Sequence, residues 1–154
     1  TLDLVTTDHV PDRLDTEKAQ AGTGMPFDRI SNGAPGIETL LTVLYSEGVV
    51  TGRITLERMV DLIATTPARR FGLASKGELT IGKDADIVLF DPTLPHTIRA
   101  RDLHHTSDYT PYEGLDVVGE VRTTLVRGHE VVRDGIFAGR RGVGRFVERG
   151  RIKD

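Results

Sequence analysis

The sequence has no cysteine among its 154 residues. That excludes a disulfide framework and a thiolate metal site, leaves nitrogen and oxygen as the only ligands for any metal, and suits a reducing cytoplasm. No apolar run approaches the roughly 18 residues that span a bilayer, and residues 1–7 carry neither a basic n-region nor a small-residue cleavage site. A soluble, cytoplasmic protein without membrane contact is expected. Net charge is only −3. The basic excess is confined to the tail, where Arg140, Arg141, Arg145, Arg149, Arg151 and Lys153 stand against Glu148 and Asp154 and leave the body acidic. A short basic tail on an acidic body has no reading element for nucleic acid, so the tail reads as solvated or subunit-contacting.

What is present is an ordinary globular composition, 38% hydrophobic with 17 glycines. The length suits one domain able to bury roughly two-thirds of its unfolded surface. Leu2, Leu4 and Val5 form a short apolar run that surfaces at Thr6-Thr7-Asp8-His9. This reads as a strand already in progress, and the chain is expected to be the C-terminal part of something longer. Residues 10–31 show no periodicity and make a long loop, of the length that is usually functional. A helix is expected from Pro35 to a left-handed stop at Gly48, with Ile37, Leu40, Leu41, Leu44 and Tyr45 on one face. A second is expected from a Thr55 cap, with Leu56, Met59, Val60 and Ile63 facing inward, broken at Thr66-Pro67 and followed by a short helix ending at Gly72. Beyond residue 75 the pattern turns to strands: Asp86 to Phe90 bounded by Pro92, Val117 to Val126, an Arg127-Gly128 hairpin, and a turn at Asp134-Gly135.

A carboxylate directly after a buried strand stands where barrel enzymes place catalytic groups, and Asp8 has that position. It could ligate a divalent ion and take a proton from metal-bound water; equally, it could begin a turn or cap a helix. His9 points to the opposite side from Asp8 and reads as a loop or supporting residue. His96, His104 and His105 lie in the β-rich part with no carboxylate at ligand spacing and read as surface or packing residues. Asn32-Gly33 closes the long loop as a turn whose main-chain groups could meet the amide edge of a small ligand.

Several segments taken together resemble the C-terminal portion of the cyclic amidohydrolases. They are Thr7-Asp8-His9, Ser31-Asn32-Gly33-Ala34-Pro35-Gly36-Ile37-Glu38, Thr66-Pro67-Ala68 with Phe71-Gly72-Leu73, and Lys76-Gly77 through Gly82-Lys83-Asp84-Ala85-Asp86-Ile87-Val88. Asp108-Tyr109-Thr110-Pro111-Tyr112-Glu113-Gly114, the Arg127-Gly128 hairpin and the Gly142, Gly144, Phe146, Val147, Arg149 pattern resemble the hydantoinase and dihydropyrimidinase branch. The resemblance implies an α/β plus β fold, the C-terminal part of a TIM-like metal-dependent hydrolase barrel with a small β-sandwich. Residues 1–74 would supply the last strand, active-site loop and helices of the barrel, residues 75–138 the sandwich module, and residues 139–154 a basic Gly/Arg tail.

The same resemblance implies a hydrolase that opens cyclic amides of hydantoin or dihydropyrimidine type, by attack of a metal-bridging hydroxide on a ring carbonyl. Asp8 would ligate the more exposed ion of a binuclear zinc centre and shuttle the proton to the leaving nitrogen. Asn32 would present main-chain groups to the imide edge. The family's remaining ligands, a His-x-His pair, a carboxylated lysine and two further histidines, have no counterpart here; Lys18, Lys76, Lys83 and Lys153 do not match the lysine's context. Where the family follows Asp-His with a small residue or Cys, then Pro and an aromatic, this sequence has Val10-Pro11-Asp12. The implied partners are the N-terminal remainder of the same protein and further copies in a dimer or tetramer. A non-catalytic dihydropyrimidinase-related scaffold, oligomeric and without hydrolysis, is the alternative.

Overall fold

A computed structural model describes residues 2–19 and 23–150. Residue 1 of the expected strand, residues 20–22 of the long loop and residues 151–154 of the basic tail lie outside the described residues. The expected strand is not formed: residues 2–8 belong to no ladder. A strand exists through neighbours that pair its N–H and C=O groups, and among the described residues none lies beside this segment. It is held by single bonds instead. The Val5 N–H donates to the Leu62 carbonyl (3.1 Å), and the Arg58 guanidinium donates to the Leu2 carbonyl. One parallel bridge joins His9 to Ala34, with the Val10 N–H donating to the Ala34 carbonyl at 3.1 Å.

Helix α1 (Leu40–Leu44) begins five residues later than the sequence predicts, after a turn, and runs on as a wider π turn over Tyr45–Val50. Pro35 is fully buried ahead of it, and Ile37, counted in the apolar face, lies exposed outside it. The chain passes through Gly48 without stopping, because the absent Cβ there leaves room for Ile54, and it turns left-handed at Gly52 instead. The most buried face of α1 and its continuation carries Thr42 and Ser46. Small side chains allow close approach to the sheet, where the Ser46 Oγ accepts the Val118 N–H at 3.2 Å.

Thr55 caps α2 (Leu56–Val60) as its sequence position predicts, its Oγ1 accepting the Arg58 N–H at 3.2 Å. Pro67 does not break the helix. A π turn over Asp61–Thr65 joins α2 to α3 (Thr66–Arg70), and this wider turn relieves the clash a proline ring makes with the carbonyl four residues back. The inward face is accordingly Met59, Leu62, Thr66 and Ala68, while Leu56 and Val60 are exposed. Gly72, at φ +69°, ends the helix in a Schellman motif: Leu73 N–H bonds the Ala68 carbonyl (2.8 Å) and Gly72 N–H the Arg69 carbonyl (3.2 Å).

An antiparallel sheet follows in the order β1 (Ile87–Thr97), β2 (Asp116–Val126), β3 (His129–Arg133), β4 (Ile136–Phe137). β1 runs past Pro92, its expected end, and the register slips between Asp91 and Pro95, where the two prolines offer no N–H to the ladder. The two hairpin turns form as the sequence predicts, with both central residues at positive φ: Arg127 and Gly128, then Asp134 and Gly135. The Lys76-to-Asp86 motif ties helices to sheet. Lys76 pairs with Asp84 (2.9 Å) and Asp86, and Asp86 in turn accepts the Arg127 N–H (2.8 Å) at the hairpin. Lys76 and then Ser75 hold the Asp84 carboxyl below its ordinary range.

The core is thin: Met59, Leu62 and Ala68 from the helices, with Ile98 and Val117 from the sheet side. The chain exposes 10,791 Å², against about 7,700 Å² for a compact monomer of its mass. Phe27, Leu79, Ile81 and Phe146 all lie in water. No helix among the described residues is long and apolar enough to cross a membrane.

A Cβ at Gly72 would overlap the Gly150 carbonyl oxygen as well as disfavouring the left-handed backbone. Gly72→Ala is therefore expected to destabilise by about 1–3 kcal/mol, read as a lower urea-unfolding midpoint; an unchanged midpoint contradicts the tail contact.

Candidate active site

Asp8 lies exposed just before the His9–Ala34 bridge, with φ at +44°. Its carboxylate makes no hydrogen bond or ion pair with any described residue. A non-glycine residue in the left-handed region costs energy that surrounding contacts must offset, and such residues gather at functional sites. The bridge supplies one contact: it sets the segment holding Asp8 beside the loop holding Asn32 and Gly33. Gly33 packs so tightly on the Val10 side chain that a Cβ there would overlap it, and its φ is +85°. Asn32 is exposed. The two expected site residues thus sit on adjoining segments. A cleft of about 320 Å³ opens beside them, lined by Val5, Thr7, Asp8, Gly33, Pro35 and Tyr112 among others.

Five further side chains converge on these segments, and Lys18 and Ser107 carry no local pattern that points there. Lys18 is buried and donates from Nζ to the Ser31 carbonyl (2.6 Å), closing the long loop just before Asn32. Ser31 Oγ bonds the Asp12 carboxylate across the same loop. The connection between β1 and β2 then clamps the loop from the sheet side. Ser107 Oγ donates to the Asp12 carbonyl (2.8 Å), and the Asp108 carboxylate accepts the Leu14 (2.7 Å) and Asp15 (3.1 Å) N–H groups. Tyr109 O–H reaches the Gly33 carbonyl at 3.4 Å. Burial, with the charges of Asp12 and Asp108, raises the Tyr109 pKa and keeps that donor protonated.

His104 joins the same connection to the start of α1 and to the sheet. Its Nδ1 meets Glu38 Oε1 (2.7 Å), its N–H donates to Glu38 Oε2 (2.7 Å), and its Nε2 meets the Gly135 carbonyl (2.8 Å). Two acceptors on one ring favour the doubly protonated form, and the Glu38 bond above all holds the His104 pKa above its ordinary 6.5. His105 lies beside His9, ring centroids 6.1 Å apart. No three His, Cys, Asp or Glu side chains among the described residues gather as a metal site. The donor chemistry fits a single contribution: Asp8 can give one oxygen ligand to an ion whose other ligands come from elsewhere.

Asp8 thus stands at a loop-lined mouth behind which helices and sheet are packed. Residues 3–131 match the amidohydrolase family, and the chain belongs to it. It is 44% identical over 149 residues to the D-phenylhydantoinase of Escherichia coli O1:K1, covering 96% of this chain and 32% of that protein. Among solved structures it is similar to the D-hydantoinase of Bacillus sp. AR9 (TM-score 0.94, 44% identity) and the dihydropyrimidinase of Brevibacillus agri (TM-score 0.94, 42% identity). Each match covers 99% of this chain and 33% of the other. The resemblance read from the motifs is borne out at the level of family and branch. The chain spans about a third of the length of the curated relatives it matches.

Two outcomes follow from the clamps. Asp108→Ala should expose the Leu14 and Asp15 amides to rapid hydrogen exchange while Asp108→Asn, which keeps one acceptor oxygen, protects one of them; equal protection in all three proteins contradicts the clamp. The Glu38–His104 contact stabilises fully below the unfolded histidine pKa of about 6.5 and is lost as pH rises through the higher folded value. Stability of wild type and His104→Gln should therefore differ at pH 6 and converge at high pH, as measured by unfolding midpoints across the pH series.

Proposed function

We propose that this chain is the C-terminal segment of a metal-dependent cyclic amidohydrolase that hydrolyses the ring C–N bond of hydantoin- or dihydropyrimidine-type amides. The observation that carries the reading is Asp8, an exposed carboxylate without a partner among the described residues, held in a left-handed backbone beside the Asn32-Gly33 loop. The similarity to hydantoinases and a dihydropyrimidinase over nearly the whole chain supports it. In this reading residues 1–74 complete a TIM-like barrel, residues 75–138 form the sandwich module, and the N-terminal remainder brings the other ligands. The complete enzyme is cytoplasmic, a homodimer or homotetramer, with a binuclear zinc centre.

A divalent ion, when bound, polarises the ring carbonyl and makes water nucleophilic near neutral pH. The chain's own residues do the rest. Asp8 gives one ligand oxygen, accepts the proton of the attacking water and returns it to the ring nitrogen as the C–N bond breaks. That transfer lets the ring nitrogen leave as a neutral carbamoyl NH2 group rather than as an anion. Main-chain groups at Asn32 meet the imide edge and orient the ring, and the clamp from Ser107 and Asp108 holds the loop behind Asp8 still.

Asp8→Ala in the complete enzyme should lower turnover by several orders of magnitude, beyond the roughly 10²–10⁴-fold of a single acid–base group, because ligand and base are lost together. The 154-residue chain purified alone should hydrolyse neither hydantoin nor dihydrouracil, since one carboxylate cannot supply the three protein ligands a catalytic zinc takes. More than a tenth of wild-type turnover in Asp8→Ala, with metal content unchanged, rejects the assignment.

A further inference from the structure

The side chain next to Asp8, that of His9, is bound through its ring. His9 Nδ1 lies 3.0 Å from the Gly36 N and 3.2 Å from the Ile37 N, and both N–H groups donate to it. A ring nitrogen that accepts two N–H bonds carries no proton, so the proton resides on Nε2. The His9 backbone meanwhile forms the bridge to Ala34. One residue therefore grips the 34–37 segment twice, by main chain at Ala34 and by ring at Gly36 and Ile37, across the buried Pro35. On the other side of Asp8, Thr7 packs on Gly36, where a built Cβ would lie 3.6 Å from the Thr7 Cβ. Asp8 is thus held from both flanks by the same short segment, and its φ of +44° is the conformation those flanks leave it.

We infer that His9 is a positioning residue, whose Nδ1 binds the Gly36 and Ile37 N–H groups and so holds Asp8 in its left-handed conformation against the Asn32-Gly33 loop. This rests on the proposed hydrolase reading for its effect on turnover, but not for its geometry. The inference also excludes His9 as a metal ligand through Nδ1, whose lone pair is already committed.

The chemistry suggests a discriminating pair of variants. The Asn side-chain oxygen reaches where His Nδ1 reaches, whereas the Gln amide reaches where Nε2 does. In the complete enzyme His9→Ala and His9→Gln should lower kcat about 10–100-fold, with KM little changed, and His9→Asn should recover most of the loss. In metal-free protein, Gly36 and Ile37 amides should be protected from exchange in wild type and His9→Asn and unprotected in His9→Ala. Long-range 1H–15N spectra should show His9 protonated on Nε2 alone. Recovery by Gln rather than Asn, an Nδ1-protonated ring, or unchanged amide protection in His9→Ala overturns the inference. Active Asp8→Ala together with the expected tautomer and protection pattern would instead overturn the assignment of Asp8 as ligand and base and leave the His9 contacts with Gly36 and Ile37 intact.

Discussion

The rest of the structure depends on one closure, the parallel contact that brings His9 against Ala34. Closing a loop of that length costs chain entropy that grows only slowly with length, but a single backbone hydrogen bond does not offset it. The loop is accordingly bound along its course: Lys18 to the Ser31 carbonyl, Ser31 to Asp12, and the Ser107 and Asp108 side chains to the backbone of residues 12–15. Take away the closure and each of these bonds loses its geometry. Asp8 and Asn32 would then be two exposed polar residues on unrelated segments.

The second dependence is between helices and sheet. Thr42 and Ser46 let α1 approach β2, and Lys76 with Asp84 and Asp86 fixes the hairpin at residues 127–128 to the chain that leaves α3. Much of this joint is polar rather than apolar. A polar joint is specific in register but contributes modestly to stability, because exposed ion pairs are screened. The apolar core is thin, directional bonds join helices to sheet, and a large apolar surface is left exposed.

Much of the local chemistry is legible in the sequence. Thr55 as a cap, Gly72 as a helix stop and the two positive-φ hairpins are each fixed by residues adjacent to them, which is why their types can be read. Boundaries are less legible. Pro67 reads as a breaker, yet the π turn upstream absorbs it; Pro92 reads as a strand end, yet the strand slips register and continues. The apolar run at the start reads as a strand, but strand formation depends on partners that no local pattern encodes. The same limit applies to the site. Asp8 and the Asn32-Gly33 turn stand out by position and residue type, whereas the Asp108 clamp joins residues 93 and 94 positions apart. Nothing in the spacing of Lys18 or Ser107 signals where their bonds go.

The meeting of Gly150 with Gly72 is made of backbone alone, the Gly150 N–H donating to the Gly72 carbonyl at 2.8 Å. No side chain takes part in that bond, so mutation has no graded way to tune it. Selection there faces an asymmetric choice: position 72 admits no Cβ without collision, while a Cβ at position 150 would sit at an ordinary 3.4 Å from the Gly72 oxygen. An alanine at position 150 therefore leaves the contact in place, whereas its docking point at position 72, in a different part of the chain, must stay glycine.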